Sequence, residues 1–136
     1  VSLVSLLLLG LVAGAAFLLI ARKVDYSEGD LLATGLLAAA AIYVVFAVVW
    51  GANTAIRFEA VGLTIFMLIA FLARRFGIIY VGVGWLLHIG WDYLFHMVGP
   101  AQHLAPAWYP PFCIGFDLVV GVYILWMVFG KQSSRL

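Results

Sequence analysis

The chain has 136 residues, 67% of them hydrophobic and only 10% charged, with a mean hydropathy of +1.20. A soluble domain carries about a quarter charged residues, so too few polar side chains are present here to cover a water-facing surface. Seven Lys and Arg against six Asp and Glu give a net charge of +1, which leaves no basic groove or tail for nucleic acid. A lone Cys113 excludes an internal disulfide. What remains is a single domain over residues 1–136 that uses lipid as its solvent, an all-α multi-pass protein of the cell membrane with membrane lipids as its neighbours.

In chain order, the first apolar run covers residues 2–21 and stops at Arg22 and Lys23. Its length suffices to cross a hydrocarbon core of roughly 30 Å. Ala13 and Ala15 imitate a signal-peptide cleavage pattern, but no basic segment precedes the run and it continues for six residues beyond Ala15. The run is therefore expected to be retained. A second span is predicted over residues 31–50, then a short connection Gly51-Ala52-Asn53-Thr54 and a third span over residues 55–73. Arg74 and Arg75 close that span, a fourth follows over residues 77–97, and a fifth over residues 112–129. Pro100, Pro106, Pro110 and Pro111 all fall between the last two, which predicts a loop there and leaves each helix uninterrupted. Unbroken apolar runs without polar alternation exclude a barrel.

The sequence thus predicts a compact bundle of five transmembrane helices. Five spans put Arg22, Lys23, Arg74, Arg75, Lys131 and Arg135 on one side and only Arg57 on the other. The excess of basic residues on cytoplasmic loops then predicts an external amino terminus and a cytoplasmic carboxyl terminus. Trp50, Trp108 and Tyr109 are expected as aromatic anchors at the outer boundary, with Tyr80 and Trp126 towards the inner one. Gly10 and Gly14 form a small-xxx-small pair. That pair serves either packing within the bundle or a subunit contact that would make a homo-oligomer.

Glu59, His88, Asp92, His96 and Asp117 interrupt otherwise apolar spans. An ionised group near the bilayer centre costs several kcal/mol, about 3 on insertion scales, so such residues usually face a cavity or each other and carry function. At a rise of about 1.5 Å per residue, Glu59, Asp92 and Asp117 lie about 5–8 Å from the outer ends of their spans and His88 about 14 Å, all in the outer half. His88, Asp92 and His96 are spaced by four and share a helix face. Adjacent members are about 6 Å apart along the axis, so one ion does not readily take all three. A metal set drawn from His88, Asp92, His96 and Asp117 suits zinc or non-haem iron, with Glu59 or His96 as the catalytic group that moves protons. A proton relay and a register-fixing polar network are the readings that compete with a metal. Gln102 and His103 are expected to face water, Arg57 to reach the outer surface, and Cys113 to act as a small buried residue.

The segment Gly84-Trp85-Leu86-Leu87-His88, followed by Gly90-Trp91-Asp92 and His96, resembles a family of small uncharacterised bacterial and archaeal polytopic membrane proteins. The resemblance is sharpest over residues 82–97 and extends to the outer loop and Asp117. It implies a polytopic fold and attention to His88, Asp92, His96 and Asp117, and it supplies neither substrate nor reaction. The chemistry therefore predicts a small metal-dependent intramembrane enzyme, a hydrolase acting on a lipid or another hydrophobic small molecule near the outer leaflet. The alternatives are a proton-coupled transporter or sensor, and an accessory subunit without chemistry of its own.

Overall fold

The computed structural model describes residues 1–24, 27–50 and 53–133, except the side chains of residues 132 and 133. Within them the chain forms five α-helices: α1 (Leu3–Ala21), α2 (Glu28–Val49), α3 (Asn53–Phe76), α4 (Ile79–Trp91) and α5 (Tyr109–Ser133). α4 passes without a break into a π-helical turn, Asp92–Met97. Helices α1, α2, α3 and α5 are each long and apolar enough to cross a membrane, and the chain is a multi-pass membrane protein. Large apolar side chains such as Val12, Val45, Phe71, Leu87 and Trp126 are exposed around the bundle, as lipid contact requires.

Helix ends follow local chemistry. Ser2 and Ser27 cap α1 and α2, their hydroxyl oxygens accepting from the amides of Ser5 and Asp30. Arg74 and Arg75 lie in the last turn of α3, where cations complement the helix dipole. Gly77, at φ 121°, takes the left-handed conformation that ends this helix. The helices extend beyond several expected span limits, most tellingly before α3 and at the start of α5. Asn53 and Thr54 begin α3 instead of forming the turn, while Gly51 and Ala52 of the expected connection, and Ser134 and Arg135 of the tail, lie outside the described residues. Helix α5 begins at Tyr109 and takes in Pro110 and Pro111. In a first turn the missing proline amides have no intrahelical acceptor to lose, so both residues fit without breaking the helix.

Packing runs α1 on α5, α5 on α4, α4 on α3, and α3 on α2, with α2 also touching α4. α1 scarcely touches α2. The join between α1 and α5 is a close backbone approach. A methyl group on Gly10 would meet the carbonyl oxygen of Phe112, and one on Gly115 would meet that of Leu7. This is the close approach that small residues permit between helices in lipid, where packing rather than the hydrophobic effect drives association. At the basic end the core is Leu18, Leu32, Leu36, Phe66, Val81, Trp85, Val120 and Ile124, fastened by the Trp85 indole donating to the Leu32 carbonyl at 3.2 Å. Arg74 pairs with Asp30 there at 3.5 Å, and Tyr123 donates to Glu28 at 2.9 Å. The opposite end carries the start of α3, the connection after the π-helical turn and the start of α5. Tyr109, expected as an interfacial anchor, is instead buried against Tyr43 and Phe46.

Candidate metal centre

All five acidic and imidazole side chains that interrupt the apolar helices are buried, none more than 3% exposed. They come from α3, from α4 with its π-helical extension, and from α5, and the π-helical turn decides how they are grouped. In a regular α-helix His88, Asp92 and His96 would form one stripe. The π-helical hydrogen-bond pattern, seen where the Val98 amide donates to the Tyr93 carbonyl at 3.1 Å, puts more residues in the turn. His96 accordingly stops short of the stripe and meets α3.

The first group is His88, Asp92 and Asp117. His88 Nδ1 lies 2.7 Å from Asp117 Oδ2 and 3.5 Å from Asp92 Oδ2, so one ring nitrogen faces two carboxylates. The three side chains can each offer a ligand atom with all three atoms within 4.8 Å of one another. The imidazole ring is held edge-on by Phe66 at 5.0 Å between centroids. Asp92 Oδ1 accepts from the Tyr43 hydroxyl at 2.6 Å, whereas Asp92 Oδ2 is buried without a hydrogen-bond partner among the described residues.

The second group is His96 and Glu59. His96 Nε2 lies 3.1 Å from Glu59 Oε1, the Trp91 indole donates to Glu59 Oε2 at 3.2 Å, and His96 Nδ1 is 3.3 Å from the Ala101 carbonyl oxygen. Gly62 makes room for the Trp91 ring one turn along α3 from Glu59. Arg57 is exposed, so its neighbour two positions on is the one turned inward. Tyr43 joins the two groups, because its ring stacks on His96 at 3.8 Å and 12° while its hydroxyl holds Asp92.

Donor chemistry fits an ion in the first group. Metal–ligand bonds of 2.0–2.2 Å in a tetrahedral site put ligand atoms about 3.4 Å apart. The His88–Asp92 spacing of 3.5 Å already matches, and the His88–Asp117 contact of 2.7 Å is a hydrogen bond whose proton an ion would displace. The unpartnered Asp92 oxygen supports the same reading, since a buried carboxylate oxygen left bare costs free energy that a cation would recover. Cys113 packs with Tyr43, Ala105 and Tyr109 as a small core residue.

Two cavities open at this end of the bundle. One of about 330 Å³ is lined by His96, Met97, Gln102, Ala107, Pro110 and Pro111, together with residues at the start of α1. The other, about 480 Å³ and predominantly apolar, lies between the start of α3 and the connection to α5, against Ala55, Phe58, Ala101, His103 and Leu104. His96 is therefore a member of the polar groups that a cavity reaches, and His103 borders an apolar pocket.

Tyr43 is the participant that sequence reasoning passed over. Its signal was present, since it is the lone polar tip between Thr34 and Trp50 in an otherwise apolar stretch of α2, and a buried phenol seeks a partner.

Fold and site together define a helical multi-pass membrane protein with a buried His/Asp/Asp cluster able to chelate a metal ion. A family model matches residues 5–132, and the chain belongs to that family, DUF6010, a family of unknown function. No curated protein and no solved structure matches it.

Proposed function

We propose that the protein is a metal-dependent enzyme of the cell membrane acting on a lipid or other hydrophobic molecule near the outer leaflet. The observation that carries this reading is the convergence of His88, Asp92 and Asp117, with Asp92 Oδ2 left without a hydrogen bond. In this reading α4 and its π-helical extension form a fifth span, with the amino terminus outside. The distribution of Arg22, Lys23, Arg74, Arg75 and Lys131 at one end and Arg57 at the other supports that direction. The bound ion, zinc or iron, supplies Lewis acidity and a water of lowered pKa. His88, Asp92 and Asp117 hold it, and Glu59 with His96 accepts and returns the proton at the end that the cavity reaches. The apolar pocket beside Phe58 takes the hydrophobic part of the substrate.

Bound metal on the purified protein, equilibrated with limiting Zn(II) or Fe(II), should approach one ion per chain. Folded protein that binds none would remove the metalloenzyme reading. With the ion retained, Glu59→Gln should lower turnover of a lipid substrate by about 10²–10⁴, the usual contribution of a positioned acid or base. A proton-coupled transporter or sensor is the second reading. It is favoured by the near-continuous run of contacts from Asp117 through His88, Asp92, Tyr43 and His96 to Glu59. Protonation changes at the cluster in metal-free protein would favour it.

Direction in the membrane is tested by impermeant thiol labelling of single cysteines in a Cys113→Ser background. Gln102→Cys should react in intact cells and Ser134→Cys only after permeabilisation; the reverse pattern would invert the assignment.

A further inference from the structure

We infer that Tyr43 is a positioning residue of the metal centre, holding Asp92 as a single-oxygen ligand. The inference rests on the metal reading and adds to it the coordination that the protein imposes. Tyr43 donates to Asp92 Oδ1 at 2.6 Å, within the short range of the stronger hydrogen bonds. The other oxygen, Oδ2, is one of four buried side-chain atoms without a hydrogen bond among the described residues, and it faces His88 Nδ1 at 3.5 Å. Tyr43 therefore divides the carboxylate, one oxygen engaged by the phenol and one presented to the ion.

The phenol is fixed in place. Its ring is 1% exposed, stacked on His96 at 3.8 Å and bounded by the edges of Phe46 at 6.3 Å and Tyr109 at 5.4 Å. A ring held on both its face and its edges keeps one hydroxyl position. Its hydrogen bond thus acts as a constraint and not as one option among several rotamers. Carboxylates that bind through both oxygens raise the coordination number and suit large cations such as Ca²⁺. One oxygen from Asp92, one from Asp117 and one imidazole nitrogen suit a tetrahedral ion that keeps a fourth position open. Groups that orient metal ligands typically account for 10–100-fold in metal affinity.

Cobalt(II), a spectroscopic substitute for zinc, gives intense visible bands when four-coordinate and weak ones when six-coordinate. Wild type loaded with Co(II) should show the intense bands. Tyr43→Phe keeps the ring and its packing and removes only the hydroxyl. It should weaken Co(II) binding by about 10–100-fold and reduce band intensity as Asp92 becomes free to bind through both oxygens. Tyr109→Phe, which packs on the same ring, should change neither. Wild type binding Co(II) with weak bands would overturn the inference without any variant. So would a Tyr43→Phe spectrum identical to wild type, whatever its affinity. Wild type that binds no Co(II) would instead overturn the metal reading itself, a separate and distinguishable failure.

Discussion

Asp92→Asn is expected to lower Zn(II) affinity by more than about 100-fold and to invert the order of stability of variant and wild type between metal-free and metal-loaded conditions. The amide preserves the volume of the side chain and an acceptor for the Tyr43 hydroxyl, and it removes the charge and the oxygen that face His88. Orienting groups around a metal already contribute 10–100-fold, and a direct anionic ligand contributes more. In wild type, Zn(II) at about 100 times its dissociation constant should stabilise the folded protein by about 2.7 kcal/mol, through binding to the native state alone. Metal-free protein should behave the other way. Two buried carboxylates share one imidazole nitrogen there, and an amide in place of one removes the crowding of two acidic groups at a buried site. Thermal unfolding in detergent, with and without Zn(II), is the measurement. The variant should unfold at or above the wild-type temperature without metal and below it with metal. Equal Zn(II) affinity in the two proteins would exclude Asp92 from the site.

Gly10→Leu should be among the most damaging single substitutions outside the polar cluster. A side chain at this position meets Phe112 backbone, which cannot rotate aside as a flexible side chain would. α1 has little other purchase on the bundle, because it packs on α5 and scarcely on α2. Overpacking a tight contact costs typically 1–3 kcal/mol and more where the backbone must move; here the upper part of that range is expected. Gly115→Leu addresses the same seam from α5, where the obstacle is the Leu7 carbonyl. The double variant should therefore cost less than the sum of the two, since one separation of the helices relieves both clashes. Gly90→Ala is the control. Nothing lies within 4 Å of a methyl group there, and the gain in helix propensity should leave stability unchanged or raised by up to about 1 kcal/mol. Reversible unfolding of wild type and the four variants in one detergent would reveal the order; a Gly10→Leu protein as stable as wild type would mean that α1 is not held by this seam.

Much of this architecture is legible in the sequence because lipid makes the relevant costs large. Apolar runs of span length announce helices. An acidic or imidazole side chain inside one must be buried with a partner, which is why Glu59, His88, Asp92, His96 and Asp117 stand out before any coordinates. Shared depth sets Asp117 level with Asp92 and Glu59; in the structure it is the deeper His88 whose Nδ1 meets Asp117 Oδ2 at 2.7 Å. Other features turn on small energy differences. Axial spacing already keeps one ion from taking both histidines, but nothing in residues 92–97 distinguishes a π-helical turn from an α-helical one by composition, so the turn of His96 towards Glu59 on α3 is not predictable. The glycines of α1 announce a close contact without saying with what; α5 supplies it because Gly115 offers the matching gap. Pro110 and Pro111 read as loop residues until their place in a first turn is seen. Tyr43 is hidden by being an aromatic residue in an aromatic-rich chain, where its ring looks like packing material and only its hydroxyl matters.

The π-helical turn also bears on pattern recognition. His88, Asp92 and His96 spell a His-x-x-x-Asp-x-x-x-His string, which invites translation into one three-toothed ligand. Here the string is two words. Its first half, His88 and Asp92, addresses α5 through Asp117; its last letter, His96, addresses α3 through Glu59. Whether such a string is one word or two depends on a single unit of helical winding that the letters do not encode. A search of genomes for this spacing would therefore pool chains in which the second histidine joins the first with chains in which it belongs to a different helix. The informative companion letters are distant ones, an acidic residue early in the third span and another in the last.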